Sequence, residues 1–167
     1  MAHAPWDRAG RAGTRRKIYR EYQQSVGDLL RNPRVRSMRK YPQHGIVSCF
    51  QHCHRVSFVS YRVCRRLGLD GRSAARGGLL HDMFLYDWHK KSPYPQPHAF
   101  HHPEVALQNA RLSVPLTPRE EDIIRKHMWP LTPALPRYRE SLVVSLTDKY
   151  CALCETAARL LRRTRRG

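Results

Sequence analysis

Six side chains stand along this chain in an order that suits a pair of metal ions: His52, the dipeptide His81-Asp82, His102, His127 and Asp148. Imidazole nitrogens and carboxylate oxygens are the ligand set shared by divalent Mn, Fe and Zn, and two carboxylates offset about half the charge of two such ions. Each residue alone has a plainer explanation, since a single histidine on an apolar face is more often a hydrogen-bonded core residue than a ligand. The joint pattern makes a metal-dependent enzyme the leading expectation.

The elements that must position these residues are helices. Periodicity of about 3.6 dominates, and no sustained strand-like alternation is present. The spacing predicts a first helix from Thr14 to Arg31, with Ile18, Tyr22, Val26, Leu29 and Leu30 on one face, ending at Asn32-Pro33. A second runs from Ile46 to Leu67 and is closed by Gly68. A third covers Arg72 to Tyr86, followed by a loop through the prolines at 93, 95 and 97. A fourth starts at Pro103 with His102 at the cap. Thr117 and Glu120 form a capping box for a fifth that reaches Met128. The last spans Tyr138 to Leu161, with Leu142, Leu146, Leu153, Ala157 and Leu160 near one face. The expected class is all-α, a compact single-domain helical bundle.

Register then assigns faces. His52 shares a stripe with Val56, Val59, Val63 and Leu67 and points to the core, whereas His54 is turned to the solvent side. Ser48 and His44 precede His52 and are candidates for supporting it. Ala74, Gly77 and Gly78 share a face with His81, and such small residues let a second helix come close. Asp82 lies about 100° around the helix from His81, so the pair can straddle one site or serve two ions. His127 is in register with Glu120, Ile123 and Ile124, and Asp148 falls in an apolar stretch where an unpartnered carboxylate would be costly.

At 167 residues, 41% hydrophobic and 26% charged, the chain is long enough to bury a core. No apolar run approaches the roughly 20 residues that a membrane crossing needs. A basic start without an apolar stretch, and five cysteines without a framework spacing, lead to a cytoplasmic expectation. The balance of 31 Lys+Arg against 13 Asp+Glu, a net +18, favours anionic partners without choosing among them. The densest basic run, 159–166, reads as a solvated tail.

Taken together, these motifs resemble the HD superfamily of metal-dependent phosphohydrolases. Gln-His-Gly-Ile-Val-Ser-Cys-Phe-Gln-His52 with Val56 is similar to its first motif, and Gly78-Leu-Leu-His81-Asp82 to the defining one. His102-Pro-Glu-Val-Ala, Ile123-Ile-Arg-Lys-His127 and Leu146-Thr-Asp148-Lys149 are similar to the remaining three. The likeness covers about Gln43 to Glu155, and the two middle histidines belong to the bimetallic branch. It implies an N-terminal helix and basic lead-in over 1–42, a phosphohydrolase domain over 43–158 and a basic tail over 159–167. It further implies divalent metal ions, two of Mn or Fe with Mg, Co or Zn as alternatives, held by His52, His81, Asp82, His102, His127 and Asp148. Which aspartate bridges the ions stays open. The segment Met83 to His89 is unlike guanosine-polyphosphate hydrolases and dNTP triphosphohydrolases, and the Gly-Tyr-Pro signature of the cyclic-di-GMP branch is missing.

The expected reaction is hydrolysis of a phosphoester or phosphoanhydride in a small anionic substrate, of the nucleotide or dinucleoside polyphosphate type, by a metal-activated water. Asp82 and Lys149 are the catalytic candidates, and Lys149 or Arg76 would neutralise the phosphate. Asp87, Trp88 and His89 are candidates for pocket lining, with packing as the alternative for Trp88. Two rivals come from other classes. One is a non-catalytic helical protein that binds nucleic acid through its charge, which requires basic residues gathered on one face with aromatics among them. The other is a structural zinc site on Cys49, Cys53, Cys151 and Cys154.

Overall fold

The computed structural model describes residues 6–44, 47–90 and 97–164, with the side chains of 6–12, 44 and 163 left aside. Seven α-helices follow one another in this part of the chain: α1 Trp6–Arg31, α2 Pro33–Ser37, α3 Cys49–Arg66, α4 Gly71–Leu80, α5 His98–Arg111, α6 Pro118–Lys126 and α7 Arg139–Thr164. Between α2 and α3 a small antiparallel hairpin pairs β1 Pro42–His44 with β2 Val47–Ser48, an element too short to leave a period-two signature. The all-α expectation holds apart from this ribbon. None of the described helices is long and apolar enough to cross a membrane.

Local chemistry explains most boundaries. Asn32 ends α1 and caps α2, its Oδ1 accepting from the backbone N–H groups of Arg34 and Val35. Ser48 begins α3 with a capping box to Gln51, and Thr117 begins α6 with the expected box to Glu120. Ser48 is therefore committed to a helix end and does not support His52. Gly68, at φ +68°, ends α3 in the left-handed region that glycine enters without strain.

Several expected boundaries are displaced: α1 begins at Trp6 rather than Thr14, α3 at Cys49 rather than Ile46, and two others bear directly on the candidate ligands. The third predicted helix stops at Leu80 rather than Tyr86, because the His81 Nδ1–H donates to the Gly78 carbonyl, which a continuing helix would have offered to the Asp82 N–H. The chain then turns sharply, with Phe84 N–H donating to the Asp82 carbonyl and Leu85 at φ 57°. The fourth predicted helix starts at His98, not Pro103, so His102 lies inside α5 and Pro103 is accommodated within it.

Helix α3 lies centrally, packed on α4 and α7, while α6 closes α4 from the other side. The small residues of α4 make this possible. A Cβ on Gly77 would come within 2.6 Å of Ile123 Cγ2, and one on Gly78 within 3.1 Å of the Ser57 Cα. The main core gathers Tyr22, Val26 and Leu29 of α1 with Leu79, Leu80, Met83, Phe84, Leu107 and Ile124. Helix α1 thus shares the core of the segment that follows residue 42, and α7 continues as helix beyond residue 159. The Tyr22 hydroxyl donates to Ser57 Oγ, which donates to the Ala75 carbonyl, tying α1, α3 and α4 together.

The last helix buries a different face from the one expected. Leu142, Leu146, Leu153 and Leu160 are exposed, while Ser141, Val144, Ser145, Cys151 and Glu155 face inward. The inward polar groups all have partners, which is what allows a polar face to be buried.

Candidate metal centre

All six expected ligand side chains converge. His52 comes from the first turns of α3, His81 and Asp82 from the end of α4, His102 from α5, His127 from the end of α6, and Asp148 from the middle of α7. Their ligand atoms, together with Cys53, form three overlapping groups: His52, His81 and Asp148; Cys53, His81 and Asp82; and Asp82, His102 and His127. Within each group the atoms lie within 4.8 Å of one another. The centre is enclosed, with Asp148 the most exposed of the six at 14% of its side chain.

The four rings are oriented by one device. His81 Nδ1 donates to the Gly78 carbonyl at 2.9 Å, His127 Nδ1 to the Ile124 carbonyl at 2.8 Å and His102 Nδ1 to the His98 carbonyl at 2.7 Å. His52 Nδ1 donates to Glu155 Oε2 at 3.0 Å. His81 and His127 are the C-cap residues of α4 and α6, so their rings take carbonyls that a helix end leaves without an N–H partner. With each Nδ1 engaged outward, every Nε2 points into the centre, the tautomer and orientation seen in metal-bound histidines.

Inside the centre, the imidazole Nε2 atoms face carboxylate oxygens. His52 Nε2 lies 2.9 Å from Asp148 Oδ1, and His81 Nε2 lies 3.4 Å from both Asp82 Oδ2 and Asp148 Oδ1. His102 and His127 Nε2 are 3.2 and 3.4 Å from Asp82 Oδ1. Neither His81 Nε2 nor Asp82 Oδ1 has a hydrogen-bond partner although both are buried. Such orphaned lone pairs are costly unless a proton or a cation lies among them. The nitrogen and oxygen donor set suits a divalent ion, so the residues present fit the group that the sequence pattern implies.

Electrostatics point the same way. Burial opposes a charge on His52, but the carboxylates of Asp148 and Glu155 outweigh it and push the ring up to about 10. Burial likewise opposes a charge on His81, yet Asp82 beside it raises that ring well above its ordinary value. Burial would raise the carboxyls of Asp82 and Asp148, and the surrounding rings, His81 for Asp82 and His52 for Asp148, hold both below the usual range. His127, dominated by burial, is pushed down and stays neutral. The two carboxylates thus draw positive charge into the centre.

Residues around the ligands separate into those expected and those missed. Glu155, one of two carboxylates on His52, was not among the candidates, although it lies seven residues after Asp148 on the same helical face. It also accepts from Arg55 Nη1 at 2.5 Å. Gln43 was missed as well, its Nε2 donating to Asp82 Oδ2 from β1, and no periodic signal marks a residue in so short a strand. The side chain of His44 and the proline loop at 91–96 lie outside the described residues.

Other expected roles are corrected. Lys149 does not project into the centre: its Nζ donates to the His127 carbonyl, the Ser145 carbonyl and Ser145 Oγ, which makes it a support for the end of α6. Arg76 is buried and bound to Glu120 and Asp28 through Nε and Nη1, linking α4 to α6 and α1, which makes it a tie between helices. Asp87 accepts from the His89 N–H, and Trp88 stacks on His98, which itself stacks on His102, so Trp88 has the packing role. His54 points away from the centre as expected but is half-buried between Phe50 and Tyr22. The four-cysteine site does not assemble. Cys154 is exposed, the other three are buried, and among the described residues no ligand group holds two thiols.

Comparison of the chain with family models, with curated proteins and with solved structures returns no match in any of the three.

Proposed function

We propose that this chain is a metal-dependent phosphohydrolase of the HD type, acting on a phosphoester or phosphoanhydride bond of a small anionic substrate such as a nucleotide or dinucleoside polyphosphate. One observation carries the proposal: four imidazoles, each engaged at Nδ1 from outside, direct Nε2 onto two buried carboxylates with orphaned lone pairs between them. The order of these residues along the chain is the one that resembles the bimetallic HD branch.

In this reading His52, His81 and Asp148 hold one ion, and His102 and His127 hold a second with Asp82 between the groups. Divalent ions there, Mn or Fe by the resemblance, supply an acidified water and positive charge for the phosphoryl oxygens. Gln43 fixes Asp82 Oδ2, which leaves Oδ1 turned to the ligand rings. Glu155 and the three backbone carbonyls keep the rings in register, and burial keeps bulk water from the reacting atoms. The substrate approaches from the Asp148 side, where the enclosure is thinnest. A net charge of +18 favours an anion.

The test is elemental analysis of the purified chain with a hydrolysis screen over nucleotides, dinucleoside polyphosphates and sugar phosphates in Mn, Fe and Mg. Near two ions per chain and turnover of one substrate class are expected. A chain that binds no divalent ion ends the proposal.

A second reading, nucleic-acid binding, is favoured by a groove on the outer side of α3. Arg39, Arg55 and Arg162 line it beside Phe50 and Phe58, and Arg39 stacks 3.9 Å above the Phe50 ring. Binding of random-sequence RNA or DNA that falls steeply with salt would support it.

A further inference from the structure

We infer that Cys53 is a conditional ligand of the same centre: a borderline or thiophilic ion such as Zn2+ or Co2+ is taken by the Cys53 thiolate together with His81 and Asp82, whereas Mn2+ or Mg2+ leaves the thiol protonated. This inference rests on the proposal that the centre holds metal, and it adds a sulfur ligand absent from the His and Asp pattern.

The geometry supplies the grounds. Cys53 follows His52 on α3, about 100° further round the helix, and is fully buried. Its Sγ belongs to a ligand group with His81 and Asp82, all three buried. Each of the two partners carries a buried atom without a hydrogen-bond partner, His81 Nε2 and Asp82 Oδ1. Buried cysteine ordinarily acts as a small apolar residue, and Cys53 is itself part of the main core. Its neighbour on the helix face shows the contrast: Cys49, one turn earlier, donates its S–H to the Asp82 backbone carbonyl at 3.1 Å and lies outside every ligand group. Cys53 Sγ lies 4.0 Å from Cys49 Sγ and, unlike it, belongs to the group with His81 and Asp82.

Ligation breaks the S–H bond, forms a metal–sulfur bond and releases the proton to solvent, with no change in oxidation state. The thiolate adds a third anionic donor to Asp82 and Asp148. Soft sulfur favours Zn2+, Co2+ and Fe2+ over Mg2+ and Mn2+, so Cys53 biases which ion the centre retains.

The experiment loads the full chain with Co2+ and compares the parent with Cys53→Ser and Cys49→Ser by absorption spectroscopy. The parent and Cys49→Ser should show a sulfur-to-cobalt charge-transfer band in the near ultraviolet. Cys53→Ser should lose that band and keep the visible ligand-field bands of bound cobalt. Ligand-field bands without a sulfur band in the parent, or a sulfur band that survives in Cys53→Ser, overturn the inference and leave the metal centre standing. A parent that takes up no Co2+ overturns both. Should Cys53→Ser fail to fold, X-ray absorption of the Zn-loaded parent decides: a sulfur neighbour at about 2.3 Å is expected, and a shell of nitrogen and oxygen alone refutes it.

Discussion

His102 and His127 meet through their Nε2 atoms at 2.9 Å, while the Nδ1 of each is engaged by a backbone carbonyl. Two lone pairs at that separation repel unless positive charge lies beside them. A divalent ion at about 100 times its Kd should therefore stabilise the fold by about 2.7 kcal/mol. For a chain of this size that is a rise in Tm of about 5 to 11 °C. Thermal scans with added ion and with a chelator check this, and a Tm indifferent to both would count against a metal centre.

Substitution separates His54 of α3 from the ligands. Asp82→Ala should remove bound metal and any hydrolytic activity while leaving the helical circular dichroism unchanged. His54→Ala should keep both metal and activity and lose about 1 kcal/mol through its ring contacts with Phe50 and Tyr22. Metal content near the parent value in Asp82→Ala would refute the assignment.

Glu155 holds His52 from behind. Glu155→Gln should weaken metal binding by about 10 to 100-fold without altering the ligand set. Competition against a chromogenic chelator measures the shift, and an unchanged affinity would reduce Glu155 to a partner of Arg55.

Asp122 organises the start of α7, accepting from the Arg137 N–H, Ser141 Oγ and Lys126. Burial would raise its carboxyl, but these donors hold it below the ordinary 3.8. A carboxyl depressed in the folded state contributes stability above the unfolded value, and that contribution is lost as the pH falls through the lower folded one. Urea titrations of the parent and Asp122→Asn should thus differ at pH 6 and converge on acidification below about pH 4. A gap that persists in acid would contradict this.

Gly77 admits α6 to α4. Gly77→Ala drives a methyl into Ile123 and should cost about 1 to 3 kcal/mol, read as a lower urea midpoint. A midpoint equal to the parent's would show that the two helices can part without penalty.

Much of this arrangement was legible in the residues. The Thr117 capping box, the Gly68 stop, the inward register of His52 and the small face of α4 each follow from a local rule, and each is found. The misses share a cause. Where α4 ends, the His81 ring displaces a backbone donor, and propensity carries no trace of that exchange. Along α7 the leucines suggested the buried face, yet Ser145 and Glu155 are drawn inward beside the expected Asp148 because the end of α6 and His52 give them partners. Lys149 and Arg76 read as phosphate ligands by charge alone, and only packing reveals the carbonyls and carboxylates that already occupy them.

His81 and His127 each close a helix, so the negative ends of two backbone dipoles, α4 and α6, converge on the ring cluster. The protein therefore carries a small cation-attracting spot inside a molecule whose overall field repels cations. Dissolved salt damps the long-range repulsion over about 10 Å at 0.1 M but scarcely reaches the enclosed dipoles. Capture of an ion by this chain should accordingly quicken, not slow, as ionic strength rises.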